Sequence, residues 1–224
     1  VRLDAFSAAP RGIPVRLDKP STIAIQNGTA RISGLTIVTG DGRIEVNGTA
    51  GSTLDINAEI RSLPASLANA FATGLDAAGS ISGTVSAKGA ASNPSVDYNL
   101  NWANAEVAQT RAAGLAALGI KANGRFTGGN LQIDTNVSGQ GGMLLSGGGS
   151  LGIAGNRPLS MSFSGRLPFS AVAAQTAAQG LDVDGTAAID VKISGSASAP
   201  VVTGTITTDG TRLTDVRRNL TVND

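Results

Sequence analysis

The sequence predicts an all-β protein: an elongated, internally repeated antiparallel sheet with one apolar face, interrupted by short helices. Three observations predict this class. Apolar and polar residues alternate along many segments, which is the pattern of half-buried strands. Frequent turn signals separate these segments, because the 224 residues include 30 Gly and 8 Pro. The order of strands, turns and helices then recurs along the chain.

The alternation is clearest between residues 96 and 102. In a strand, Val96, Tyr98, Leu100 and Trp102 would point to one side, and the residues between them are polar. Other segments place apolar residues on one side in the same way: Leu54, Ile56, Ile81, Val85, Leu131, Ile133, Met161, Phe163, Ile189, Val191 and Ile193. The pattern favours many short antiparallel strands whose apolar sides share one face.

Turn signals rich in Gly, Asn and Asp occur at residues 26–28, 40–42, 127–130 and 209–210. They predict hairpin connections between the strands. The glycine run at 147–149 has the composition of a phosphate-binding loop, but no Gly-Lys-Ser or Gly-Lys-Thr follows it. We therefore predict a tight bend or a bulge at that run.

Two segments break the strand period and predict short helices near residues 64–73 and 168–179. Each opens with a Leu-Pro pair, and Pro suits the first turn of a helix. Each is followed by a Gly-Leu pair, and Gly suits the left-handed position after a helix end. The helices would cap the sheet and bury Leu67, Phe71 and Val172; gating of the apolar face is the alternative. The Ala-rich segment 112–118 is ambiguous.

The two predicted helices belong to an internal repeat. Gly74 and Gly180 follow them, 106 residues apart, and glycines before the helices recur at an offset of 100 residues. We expect one continuous repeat segment without a domain boundary. Residues 1–62 would be the tail of one unit, 63–166 a full unit, and 167–224 the head of the next.

The order of motifs resembles a known family. Residues 40–48 read Gly-Asp-Gly-Arg-Ile-Glu-Val-Asn-Gly, the first Leu-Pro helix follows, and a Gly-to-Pro element spans 79–94. The second copy of that element runs from 184 to 204 and ends in Gly. In this order the chain resembles, over nearly its whole length, the C-terminal region of the TamB family in the AsmA-like group.

The resemblance implies a curved sheet folded lengthwise into a groove, a β-taco, with an apolar interior. It implies a section of a protein that is anchored in the inner membrane and spans the periplasm. The implied functions are phospholipid transport between the two membranes and assembly of outer-membrane proteins such as autotransporters. The implied partners are phospholipid acyl chains and a TamA-like outer-membrane barrel protein.

We expect the groove to be lined by the alternating apolar residues, although ordinary core packing is the alternative for each of them. The expected groove-lining residues are Leu54, Ile56, Ile81, Val85, Val96, Tyr98, Leu100, Trp102, Leu131, Ile133, Met161, Phe163, Ile189, Val191 and Ile193.

Composition argues against several other functions. The 17 basic and 16 acidic residues give a net charge of +1 without a basic cluster, so no nucleic-acid partner is predicted. The chain lacks His, the commonest metal ligand and a frequent general base, and no cofactor or metal site is predicted. Asp182 with Asp184, and Asp55 with Glu59, could pair as in a glycosidase, but no aromatic platform accompanies them. We predict exposed positions for these carboxylates and no enzyme activity.

Two rival classes remain for comparison. An extracellular β-solenoid, such as an adhesin or an autotransporter passenger, would repeat every ~20–30 residues, which is much shorter than the repeat found here. A carbohydrate-active β-helix enzyme would need clustered carboxylates and exposed aromatic residues, and aromatic residues form only 3 % of the chain. The chain starts in the middle of a strand pattern at Val1, so we expect it to be a piece of a longer protein.

Overall fold

The chain forms one long antiparallel sheet with a few short helices. The computed structural model describes residues 1–9, 12–70, 74–153, 155, 157–196 and 198–223. Over this part of the chain the sheet contains 16 strands, and it is neither closed nor strongly curled. The predicted all-β class and its antiparallel sheet are confirmed.

The strands are long in the middle of the chain and short near its start. They are β1 (Arg2–Leu3), β2 (Ser7–Ala8), β3 (Val15–Leu17), β4 (Ser21–Gln26), β5 (Thr29–Thr39), β6 (Gly42–Ala50), β7 (Thr53–Pro64), β8 (Ala78–Ala90), β9 (Ser95–Glu106), β10 (Leu118–Thr127), β11 (Asn130–Ser138), β12 (Leu144–Gly152), β13 (Leu159–Pro168), β14 (Leu181–Ser196), β15 (Ala199–Asp215) and β16 (Leu220–Asn223). The α-helices are α1 (Ala108–Ala112) and α2 (Ala173–Ala178), and the 3₁₀ helices span Ala65–Ala70, Gln140–Gly142 and Phe169–Val172.

The topology is a meander. From β4 to β16 each strand pairs with the next one in the chain, and β1 pairs with the free side of β4. The short strands β2 and β3 lie beside this path, where β3 also pairs with β5. Because sequential strands are neighbours, side chains in one register position continue from strand to strand across the sheet.

The two ends of the strands differ. Because the chain reverses at every strand, alternate connections lie at opposite ends of the sheet. At one end, here called the turn rim, the connections are tight, at residues 27–28, 51–52, 91–94 and 128–129. At the other end, the helical rim, lie the turn at 40–41 and the helices at 65–70, 108–112, 140–142 and 169–178.

The few buried side chains lie near the helical rim. Ala105, Leu118 and Met143 form a buried cluster on the ends of β9, β10 and the segment before β12. Ala65 and Ala171, in two of the 3₁₀ helices, are also buried. No large side chain of the described residues is fully buried. The sheet therefore has a small core at one rim, and most of its surface has no second layer over it.

Both predicted helices are present, with differences in detail. Near 64–73 the helix is a 3₁₀ helix that begins after Pro64, which still belongs to β7. Near 168–179 a 3₁₀ turn leads into α2. Gly180 has a φ of +80°, as predicted for the position after a helix end. Gly74 has the same φ, but residues 71–73 before it lie outside the described part of the chain. Leu67 and Val172 are only partly buried, and the expected burial of Phe71 falls outside the described residues.

The Ala-rich segment at 112–118 is resolved as a helix end and a connection. The helix α1 ends at Ala112, the first residue of that segment, and β10 begins at Leu118. The helix therefore lies before most of the Ala-rich segment in the sequence. The turn at Gly114 (φ +72°) separates it from the next strand.

Two turn predictions were wrong. The glycine run 147–149 lies inside β12, and its pairing with β11 and β13 continues without a register shift. The Asp209-Gly210 pair lies inside β15, at the register shift opposite Asp184 and Thr186. Gly210 adopts a φ of +59°, so it serves a bulge within a strand instead of a hairpin turn.

Candidate functional site

The strand pairing places all of the predicted groove-lining residues on one face of the sheet. In antiparallel strands, directly opposed residues have their side chains on the same face. Trp102 pairs with Ile81, Tyr98 with Val85, and Phe163 with Val191. The apolar face, as we call it, includes Leu54, Ile56, Ile81, Val85, Val96, Tyr98, Leu100, Trp102, Leu131, Ile133, Met161, Phe163, Ile189, Val191 and Ile193.

The apolar residues form continuous rows that run across the strands. Following the pairing from β8 to β14 gives one row through the middle of the face: Val85, Tyr98, Gly124, Ile133, Gly149, Met161 and Ile193. The neighbouring row is equally continuous: Gly83, Leu100, Ala122, Thr135, Gly147, Phe163 and Val191. The rows thus form one apolar surface across the sheet.

The two faces differ sharply in charge. Among the register-paired positions from β5 to β14, no Asp, Glu, Lys or Arg lies on the apolar face. The polar face carries the intervening residues, for example Asp97 paired with Arg125, whose Nε donates to the Asp97 carboxylate at 2.5 Å. The sheet is therefore amphipathic from β5 to β14, which is how a one-sided sheet meets both water and an apolar partner.

The side chains of the apolar face are partly exposed. All fifteen predicted residues fall between the buried and the fully exposed range. Trp102 packs against the buried cluster at the helical rim. The others are shielded by neighbours on their own face, and the described residues form no second layer over the middle of the face. A face of this size without cover favours an interaction with an apolar partner.

The two polar aromatic side chains on this face have backbone partners. The Trp102 Nε1 donates to the Ala78 carbonyl oxygen at 2.9 Å, and the Tyr98 hydroxyl donates to the Gln132 carbonyl oxygen at 2.9 Å. The Tyr98 ring reaches that oxygen by passing over Gly124, which has no side chain. Burial raises the pKa of Tyr98, and the charge of Asp134 raises it further. These contacts leave the face without an unpaired aromatic donor.

The helical rim is fixed to the ends of the strands by polar contacts. Asn69 makes two hydrogen bonds to Ala77: its amide donates to the carbonyl oxygen at 3.1 Å, and its oxygen accepts from the amide nitrogen at 2.7 Å. Arg111 in α1 forms ion pairs with Asp76 and with Glu106. These contacts hold the first 3₁₀ helix and α1 at the rim, so the middle of the apolar face stays uncovered.

The carboxylates considered for catalysis lie on the polar face. Asp55, Glu59, Asp182 and Asp184 are exposed, as the sequence predicts. Glu59 accepts from the Arg61 Nε at 2.8 Å, and this hydrogen bond lowers the pKa of Glu59. Asp184 likewise accepts from Arg212 at 2.8 Å. Within the described residues, His, Cys, Asp and Glu form no group that could hold a metal ion.

No helix in the described part of the chain combines the length and the apolar character that crossing a membrane requires.

An open meander with one continuous apolar face defines this chain as an elongated, amphipathic β-sheet protein. The model of the TamB C-terminal domain matches residues 26–221, and the chain belongs to this family. The family consists of cell-envelope proteins and implies a role in envelope biogenesis. No match to the chain was found among the curated proteins or among the solved structures.

Proposed function

We propose that the chain is a non-enzymatic section of a protein that is anchored in the inner membrane and spans the periplasm. Its apolar face would line an open groove along which phospholipid acyl chains pass between the inner and outer membranes. The observation that carries this proposal is the continuity of the apolar rows across the strands, free of charged residues from β5 to β14.

The energetics favour such a path. Exposing a lipid tail to water costs about 0.8 kcal/mol per CH₂, or roughly 13 kcal/mol for a chain of about 16 carbons. An apolar surface that stays in contact with the tail removes most of this cost at every step. Because the rows run across the strands, a tail that follows them moves along the length of the sheet.

The size of the sheet fits a section of a longer path. The continuous order contains β1 and then β4 to β16, and strands lie about 4.8 Å apart, so the sheet is roughly 65 Å long. On this proposal residues 1–62, 63–166 and 167–224 are the tail, the complete unit and the head of consecutive repeats. Further repeats of the same kind would extend the apolar path.

A second function has support from the same family membership: assembly of outer-membrane proteins, including autotransporters, with a TamA-like barrel protein as partner. The amphipathic sheet is compatible with this function, since strands of outer-membrane proteins also carry one apolar face. The extracellular solenoid alternative lacks such support, because this chain folds as a meander and not as short coils.

Site-specific photocrosslinking from position 100 tests the proposal. A photoreactive amino acid would replace Leu100 in the full-length protein in cells, and the adduct would be identified by mass spectrometry. Asn99, which is exposed on the polar face, provides the matched control position. We expect phospholipid adducts at position 100 and none at position 99. Adducts of outer-membrane proteins alone would favour the assembly function, and equal lipid labelling at both positions would refute the groove.

A further inference from the structure

A cavity lies on the polar face, behind the apolar surface described above. Its volume is about 570 Å³, within the range of small-molecule sites. It spans β9 to β13 near the helical rim. Most of its lining residues occupy polar-face positions in the strand pairing: Asn101, Gly119, Lys121, Asn136, Ser138, Leu144, Ser146 and Arg166.

The floor of the cavity contains an apolar side chain on an otherwise polar surface. Leu144 is 62 % exposed, and it breaks the alternation because Leu145 beside it occupies the apolar face. It pairs with Ser138 on one side and with Arg166 on the other. The carbon stems of Lys121 and Arg166 add further apolar area, since long basic side chains present hydrocarbon below their charge. Gly119 keeps space open, because a Cβ there would lie 2.8 Å from the Ser138 hydroxyl oxygen.

The charge of the cavity is entirely positive. Lys121 and Arg166 line it, whereas none of its lining residues is a carboxylate. In the described part of the chain, neither cation has an acidic partner within 4.0 Å, in contrast to Arg125 and Arg212 on the same sheet. The backbones of β10 and β13 are three strand spacings apart, roughly 14 Å, so the two flexible cations flank Leu144 from opposite sides.

Polar side chains that have no hydrogen-bond partner among the described residues complete the site. The side chains of Asn101, Asn136 and Ser146 face the cavity in consecutive paired positions with Lys121 between the first two. They can donate hydrogen bonds to an oxygen-rich group. The arrangement therefore combines cationic charge, hydrogen-bond donors and one apolar contact.

We propose that this cavity binds a small amphiphilic anion, a hydrocarbon chain that ends in a carboxylate or a phosphate. The hydrocarbon would contact Leu144 and the carbon stems of Lys121 and Arg166, and the anionic group would bind one or both cations. The site is separate from the apolar face and does not depend on the function proposed for it.

Nuclear magnetic resonance of the full chain with labelled leucine methyl groups tests the proposal. The probes are octanoate and octyl phosphate, which distinguish the two anionic groups, with octyl glucoside as the uncharged control of equal chain length. We expect saturable shifts of the Leu144 methyl signals with at least one of the anionic probes. At least one of the variants Lys121→Gln and Arg166→Gln should weaken that binding about tenfold, the effect of losing one charge-assisted hydrogen bond.

Several results would contradict the proposed binding site. Equal shifts with octyl glucoside, or no loss of affinity in either variant, would refute the anion site. Shifts with inorganic phosphate as strong as with octyl phosphate would refute the role of Leu144. Shifts confined to Leu100 and Leu131 would also refute the cavity, while still being consistent with the apolar groove. Failure of the cavity and failure of the groove are therefore separable in one experiment.

Discussion

Leu100 lies directly across from Gly83 in the pairing of β8 with β9. Gly83 has a φ of +152°, and a Cβ at this position would lie 2.0 Å from the Asn99 carbonyl oxygen and 2.9 Å from the Leu100 Cα. Neighbouring strands on the apolar face thus approach each other where one of them has no side chain. The same relationship joins Gly149 to Met161, so glycines lie directly beside large residues in both rows.

We predict that Gly83→Ala destabilises the sheet by about 2 kcal/mol or more, because a Cβ collides with backbone atoms that cannot move independently. Urea unfolding monitored by the fluorescence of Trp102 would measure the change. Gly128→Asn is the control: Gly128 has a φ of +57° in an open turn, and Asn tolerates that conformation. A Gly83→Ala protein as stable as the control would show that the strands can separate at no cost.

The helical rim carries the small core, and two adjacent residues allow a direct test of that assignment. Met143 is 4 % exposed in the cluster with Ala105 and Leu118, whereas Leu144 is 62 % exposed on the polar face. We predict that Met143→Ala lowers the free energy of unfolding by about 2–4 kcal/mol and that Leu144→Ala changes it by less than about 0.5 kcal/mol. Chemical denaturation of both variants would check this. Equal effects would contradict the placement of the core at the rim.

Tyr98 is the only tyrosine in the chain, so its titration can be followed without interference from another phenol. Burial, assisted by Asp134, raises its pKa, so the folded state favours the neutral phenol. The resulting stabilisation is complete below the ordinary phenol pKa and is lost as the pH rises through the folded value. We predict that phenolate absorbance appears at a higher pH in the folded chain than in urea.

The variant Tyr98→Phe gives the matched test. It should lose about 1 kcal/mol at neutral pH, because the hydrogen bond to the Gln132 carbonyl disappears. At alkaline pH the variant should lose less stability than the parent chain does, because it has no phenol that can ionise. If the folded and unfolded chains titrate at the same pH, the ring is not held over Gly124 as the structure describes.

The amphipathic sheet could be predicted from the sequence because a strand alternates its side chains with a period of two. Alternation assigned Leu100, Met161, Val191 and the other predicted residues to one side of their own strands. It could not establish register, and register is what joins the separate stripes into continuous rows. The end of α2 was predictable for a similar local reason, since Gly180 occupies a conformation that favours glycine.

The turn predictions that were wrong concern glycines whose role depends on a neighbouring strand. The run at 147–149 has the composition of a bend, yet Gly147 lies opposite Phe163 and Gly149 opposite Met161 in an unbroken strand. Gly210 similarly serves a bulge that is defined by its partner β14. The cavity on the polar face was missed as well. Its only local signal is Leu144, which places a second leucine beside Leu145 and so interrupts the alternation.

Charged substitutions on the apolar face give the most direct test of the proposed groove. Leu100 and Val191 lie in the same row, on β9 and β14, and both are partly exposed. We predict that Leu100→Asp or Val191→Lys blocks lipid passage in cells, since a charge in the row must be desolvated whenever an acyl chain passes over it. The fold should persist, because neither side chain is enclosed by a second layer.

The matched controls are Asn99→Asp and Asp190→Asn, which make the same changes in net charge on the polar face one residue away. Lipid adducts from a photoreactive group at position 135 or 163, which lie between Leu100 and Val191 in the same row, would report whether tails still reach the row in each variant. Circular dichroism and the urea midpoint would establish that each variant is folded. Unchanged lipid adducts in both folded apolar-face variants would exclude a tail-carrying role for this row, whereas equal loss in the controls would indicate a general effect of charge.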